Sequence, residues 1–377
     1  MTSSIASYDI EGAVKYHYGE FPPRELDYSR LLTPLTDATD ALARYDSGLL
    51  DIHNPEILIR PLRDQEAIAS SRMEGTVTTL DELMQAEAEL TENPAGKMRQ
   101  ETREVYLYSR AIRDAQIAMT DGYGLSETLI RQAHKTLLGF GRGAAMSPGN
   151  YKTEQNYIAD NVHRKITFIP ISPEHLNPAM QALMSYLANS PLPALITIAI
   201  AHLEFEALHP FKDGNGRVGR MLATLSMWDQ RLISQPNFYL SGYLDEEKDQ
   251  YIAHMQAVSR DGDWTGWVAF FLTAVAEQAR RNLNTINDIK QLYEDMKPVF
   301  REALSSKWAL EAQDFVFTNP FFQNSALKHR SGIPASTAGR FARPLLDRGL
   351  LTEYIPAAGR RSAYYRFDPL MNVVRGR

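Results

Sequence analysis

Residues 209–220 read HPFKDGNGRVGR and bring together, in one short run, the residue types that phosphate chemistry needs. Gly214 and Gly216 flank Asn215 and permit a tight turn whose backbone N–H groups point the same way. Val218, Met221, Leu222 and Leu225 then mark a helix that starts there. The N-terminus of such a helix attracts anions. Arg217 and Arg220 lie three apart in its first turn, so both guanidinium groups can reach an anion held by the loop. A polyphosphate is the natural ligand. Asp213 adds a carboxylate able to hold Mg²⁺ whose other ligands are phosphate oxygens. His209, with an ordinary imidazole pKa of about 6.5, can accept a proton at neutral pH. Taken singly, a glycine turn is usually only a turn and a histidine before proline only a loop residue; their conjunction is specific.

The elements that must position this loop read as helices. Apolar residues recur at three- and four-residue spacing over 79–90, 104–119 and 178–187, and strand signals are sparse, so the predicted fold is mainly α. Turn-rich pieces fall at 92–96 and 140–149. In the segment that follows, Tyr157, Ile158, Ile166, Phe168 and Ile169 flank a polar centre at 160–165, the pattern of a β-hairpin set into a helical protein. Residues 282–296 carry Ile286, Ile289, Leu292, Tyr293 and Met296 on one face and predict a connecting helix, with a domain boundary near Lys297. Beyond it the order is helix 324–330, turn, helix 335–348, then two extended runs around Tyr354 and Tyr364, the order of a winged helix. This region is locally basic, with Lys328, Arg330, Arg340, Arg343, Arg348, Arg360, Arg361 and Arg366. The expected domains are thus 1–110, 111–296 and 297–377.

Composition sets the outer limits. With 377 residues, 44% of them hydrophobic, and a net charge of −6, the chain has the make-up of an ordinary globular protein with no general pull toward nucleic acid or anionic membranes. It has no cysteine, which excludes disulfides, thiolate ligands and thiol nucleophiles and leaves oxygen and imidazole chemistry. The N-terminal residues lack the pattern of a secretory signal, and the most apolar stretch, 194–201, is too short to span a bilayer, so a cytoplasmic setting without membrane contact is expected.

HPFKDGNGR followed by Val218, Gly219 and Arg220 resembles the full signature of the Fic family, and the preceding His202, Phe205 and Glu206 match the helix that family shows there. The resemblance implies a nucleotidyltransferase, a protein adenylyltransferase with a helical Fic core over 111–296. His209 removes the proton from a target Ser, Thr or Tyr hydroxyl, and that oxygen attacks the α-phosphate of ATP. Asp213 binds Mg²⁺; Gly214, Asn215 and Gly216 hold phosphates; Arg217 and Arg220 bind the β- and γ-phosphates. The hairpin with Tyr157, Ile158 and Phe168 resembles the family's flap, which docks the target as an added strand. Tyr243 and Tyr251 fall where the family builds its adenine pocket.

Upstream, Ser70 and Glu74 lie four apart within EAIASSRMEGT and resemble the family's inhibitory motif, in which the glutamate pairs with the second arginine of the loop, here Arg220. An N-terminal region 1–110 carrying a built-in brake follows from that likeness. Two rivals stand beside AMP transfer: removal of AMP by the same site, and a DNA-binding regulator whose winged helix, with Arg360 and Arg361 in its wing, dominates. Expected partners are ATP and a target protein, with self-modification, a homodimer and DNA as open additions.

Overall fold

The structure is a computed structural model that describes residues 8–50, 54–92, 98–357 and 362–375. The protein is mostly helical, as predicted, and carries two small three-stranded sheets. Two compact units interleave along the chain, one of Met1–Ala43, Ala69–Thr76 and Leu107–Ala279, the other of Arg44–Ile68, Val77–Tyr106 and Arg280–Arg377. Three consecutive segments were the expectation. The expected boundary near Lys297 falls inside the single helix Trp264–Leu304, because the apolar stripe continues past Pro298 with Phe300 and Leu304 buried.

In the first unit the helix Ala194–Leu208 is central. Every residue from Leu195 to Leu208 is buried, consistent with a sequence apolar on all sides. It packs against the helices Pro173–Asn189 and Asn215–Asp229, and the indole of the fully buried Trp267 donates to its Ala199 carbonyl at 2.7 Å. No helix among the described residues is long and apolar enough to cross a membrane.

The hairpin forms where alternation predicts it, from Ile158–Asp160 and Lys165–Ile169, antiparallel with Ile158 opposite Phe168. Periodicity does not reveal its third strand. Val14–Lys15 pairs parallel with Lys165–Ile169, so the sheet order places that strand in the centre. The N-terminal strand is anchored just after it: the Tyr16 hydroxyl donates to Glu204 Oε1 at 2.7 Å and His17 Nε2 meets Glu204 Oε2 at 2.9 Å, all three side chains being buried.

In the second unit Phe321–Gln323, Tyr364–Phe367 and Leu351–Ile355 form the other sheet, both pairings antiparallel. The helix Asn324–Arg330 is where periodicity places it, but the predicted helix 335–348 divides into Ala335–Ala338 and Ala342–Asp347. Pro344 has no N–H to bond the carbonyl of residue 340, and it sits in the first turn of the second piece, where that donor would have no intrahelical partner in any case. Much of the local basic charge is paired: Arg343 with Asp347, Arg348 with Glu302, and Arg366 with Asp81 and Asp368. Arg360 and Arg361 lie outside the described residues.

Candidate active site

His209 ends the central helix in the left-handed region, with φ 46° and ψ 60°. A non-glycine residue there is uncommon and strained, and such residues cluster at functional sites. Its N–H still donates to Phe205 O at 3.0 Å, and its Nδ1 lies 3.3 Å from Glu206 O. A carbonyl can only accept, so Nδ1 carries the proton and Nε2 is left as the base. Burial, with the charge of Lys152, pulls the His209 pKa down to about 4 against the opposing carboxylates of Glu74 and Asp213, so the ring is neutral at pH 7.

After His209 the loop turns back into the helix Asn215–Asp229, with Gly214 left-handed at its cap. The amide of Asn215 is committed to this turn: Oδ1 accepts from Phe211 N at 2.7 Å and Nδ2 donates to Phe211 O at 2.8 Å. The Asn215 side chain thus braces the loop. Beneath it, His134 stacks on Phe211 with ring centres 3.7 Å apart; its Nδ1 accepts from Gly149 N at 2.8 Å, leaving Nε2–H to donate to Asp213 O at 2.9 Å. Asp213 itself accepts from Gly214 N at 2.7 Å and lies 3.6 Å from Arg217 Nη2. Arg217 is buried, and its Nε has no hydrogen-bond acceptor among the described residues.

Arg220 is 3% exposed and meets the upstream motif directly. Its Nε donates to Ser70 Oγ, and its Nη2 to both Ser70 O and Glu74 Oε1, each at 2.8 Å. The helix Glu56–Met73 ends just before Glu74, which stands in the turn that closes at Gly75. A carboxylate at a helix C-terminus opposes the helix dipole. Here the guanidinium compensates it and caps the Ser70 carbonyl as well. Burial would raise the Glu74 carboxyl, but the charge and hydrogen bond of Arg220, with Arg217 and His209 behind, hold it below the usual carboxylate range. Lys248 Nζ donates to Met73 O at 2.6 Å and Arg72 pairs with Asp245 at 2.6 Å, tying the end of this helix to the core.

Two glycines make the close approach possible. A Cβ on Gly216 would fall 2.3 Å from Glu74 Oε1, and one on Gly219 would fall 2.2 Å from Glu206 Oε1. A cavity of about 670 Å³ opens here, lined among others by Glu74, Glu206, His209, Gly216, Arg220, Tyr251, Ile158 and Phe168. Of the two tyrosines expected around an adenine, Tyr251 lines it, with its hydroxyl 2.9 Å from His202 Nε2. Tyr243 and Tyr157 are not among the lining residues.

Two family models match, the Fic/DOC family N-terminal model over residues 32–116 and the Fic/DOC family model over residues 124–227, together half of the chain. The chain belongs to the Fic/DOC family. Among curated Fic relatives, "Protein adenylyltransferase fic-1" of Caenorhabditis briggsae is 28% identical over 137 residues, 35% of this chain and 25% of the relative. "Protein adenylyltransferase Fic" of Nematostella vectensis is 25% identical over 205 residues, 53% of this chain and 44% of the relative. The chain thus spans less than half the length of these relatives. A Fic family protein from Desulfovibrio desulfuricans G20 shares the fold across 92% of this chain and 98% of its own, with a TM-score of 0.57 at 20% identity. Fic-1 (residues 134–508) from C. elegans does so over 69% and 75%, with a TM-score of 0.54 at 20% identity.

Buried titratable groups make this Fic site acid-sensitive. Burial pulls His134, His202 and His209 down to about 4 and pushes Glu206 up to about 7. Below pH 6.5 the unfolded chain binds protons on three imidazoles that the folded site refuses, which lowers stability as pH falls toward 4. Glu206 acts oppositely, since the folded site keeps its proton and gains stability as pH falls from 7. The three imidazoles outweigh the one carboxyl by somewhat less than two protons near pH 5, a slope of about 2 kcal/mol per pH unit that shrinks toward pH 6.5, where an unfolded imidazole is only half protonated. Urea midpoints at pH 7, 6 and 5 should therefore fall steadily; a midpoint that rises toward pH 5 would contradict this.

Proposed function

We propose that this protein transfers AMP from ATP to a Ser, Thr or Tyr hydroxyl of a target protein, and that Glu74 restrains the transfer by occupying Arg220. The observation that carries the reading is that His209, Arg220 and Glu74 face one cavity, of a volume suited to a nucleotide. The relatives' names, protein adenylyltransferases, agree with it.

His209 Nε2 takes the proton of the target hydroxyl, and the freed oxygen attacks the α-phosphorus of ATP. The bond to the β-phosphate breaks and pyrophosphate leaves, so AMP stays on the target and the proton on His209. The N-terminus of the helix Asn215–Asp229 and the buried, unaccepted Arg217 Nε suit the phosphates. Asp213 suits Mg²⁺: among the described residues no three His, Cys, Asp or Glu side chains cluster as a metal cage, and one carboxylate plus phosphate oxygens is a donor set this ion takes. The ion would neutralise phosphate charge. With Arg220 held by Glu74, the γ-phosphate lacks its cation and the α-phosphate is misaligned.

For the target, the hairpin offers one edge. The outer side of Lys165–Ile169 is taken by Val14–Lys15, whereas Ile158–Asp160 has a single strand partner among the described residues and lies against the cavity. An extended target segment adding to that strand brings its hydroxyl toward His209. A cytoplasmic setting supplies the ATP.

ATP labelled at the α- or the γ-phosphate tests this. Label from the α position alone is expected on protein; label from the γ position alone would replace AMP transfer with phosphoryl transfer. One second reading has an observation in its favour: Glu74, with a half-exposed carboxylate on the same cavity, can orient water to remove AMP. A pre-modified target that loses AMP with the wild type but not with Glu74→Gly would establish that direction. The C-terminal order of helices and hairpin fits a winged helix.

A further inference from the structure

A helix that reverses into a left-handed residue leaves its last carbonyls without intrahelical partners. At His209 four successive carbonyls, those of residues 208–211, are taken by two residues of one loop. Lys152 Nζ donates to Leu208 O at 3.0 Å and the Lys152 N–H to Pro210 O at 2.8 Å. Asn156 Nδ2 donates to His209 O and to Phe211 O, each at 3.0 Å. The two side chains lock one another, since Lys152 Nζ also donates to Asn156 Oδ1 at 2.7 Å. Lys152 is 3% exposed, an unusual place for an amine, and is not among the residues lining the cavity. Neither side chain is placed to touch nucleotide, so neither has a role in the chemistry described so far.

We propose that Lys152 and Asn156 are positioning residues for the general base, a two-residue clamp that fixes the strained turn at His209 and thereby aims its imidazole. Lys152 does a second thing that a neutral clamp would not. Its charge opposes protonation of the His209 ring, against the carboxylates of Glu74 and Asp213, which favour it. Burial pulls Lys152 itself down to about 7, so it is charged throughout the acid range in which His209 titrates. The clamp therefore holds the base in place and keeps it in its basic form.

This inference rests on the AMP-transfer reading, and its test separates the two. In the 377-residue chain carrying Glu74→Gly, transfer from α-labelled ATP is measured against pH, and the His209 ring is titrated by NMR. Lys152→Met is expected to lower kcat by roughly 10–100-fold, the size of effect that a small misplacement of a reacting group brings, with KM for ATP unchanged within about twofold. It also moves the His209 titration to higher pH. Lys152→Arg restores the titration and most of kcat; Asn156→Ala lowers kcat without moving the titration. Lys152→Met with unchanged kcat and an unmoved titration overturns the clamp. If Lys152→Met does not fold, an unchanged kcat in Asn156→Ala overturns it instead. If the Glu74→Gly parent transfers no AMP, the functional reading fails, while the His209 titration in Lys152→Met still decides the clamp.

Discussion

Replacing His209 by alanine lowers AMP transfer by about 10²–10⁴-fold, the contribution of a positioned general base, and leaves ATP affinity within about threefold. Nδ1 is tied to the Glu206 carbonyl, so the free Nε2 is the only ring atom able to take a proton from a hydroxyl. Because burial draws this imidazole down to about 4, it is unprotonated at neutral pH. Transfer should rise with pH only through that low pKa and be flat between about pH 6 and 8. The comparison is best made with Glu74→Gly in both proteins, with transfer followed by α-label and ATP binding by calorimetry. Transfer within tenfold of the parent would remove His209 from the chemistry.

Replacing Glu74 by glycine should raise transfer by roughly 10–100-fold, because a hydrogen bond to a charged group contributes about 1.5–3 kcal/mol and each 1.36 kcal/mol is tenfold in rate. The release is partial by construction. Arg220 keeps two hydrogen bonds to Ser70, one to its hydroxyl and one to its carbonyl, so the guanidinium stays near its present place while losing its counter-charge. Ser70→Ala added to Glu74→Gly should therefore change activity further. A buried guanidinium without its carboxylate also destabilises the fold. The melting temperature of Glu74→Gly should fall by several degrees and be recovered by ATP more fully than that of the wild type. Unchanged transfer in Glu74→Gly would dispose of the brake.

The candidate loop was legible because 209–220 are contiguous and each residue type answers a chemical need. Helix positions were legible wherever one face is apolar, and the hairpin wherever alternation is strong. What escaped are long-range partners of ordinary kind. Lys152, Asn156, His134 and Lys248 hold the loop and the Glu74 segment through hydrogen bonds to backbone carbonyls, which leave no pattern in the chain. The two-residue strand Val14–Lys15 pairs with a partner some 150 residues away and is too short to show alternation. That the Asn215 amide also braces the loop through Phe211 is likewise invisible in the sequence. Ser70 and Glu74 would have passed for an unremarkable helix end without the family resemblance.

One guanidinium serves two claimants, and thermodynamic reciprocity follows. If Arg220 binds either Glu74 or the terminal phosphate of ATP, then the factor by which the Glu74 contact weakens ATP equals the factor by which ATP loosens the contact. The ratio of ATP dissociation constants between wild type and Glu74→Gly is thus also a measure of how far the nucleotide alone can open its own site. A ratio near one would mean that ATP binds without touching the lock, and that release must come from a ligand acting on the 70–74 segment itself.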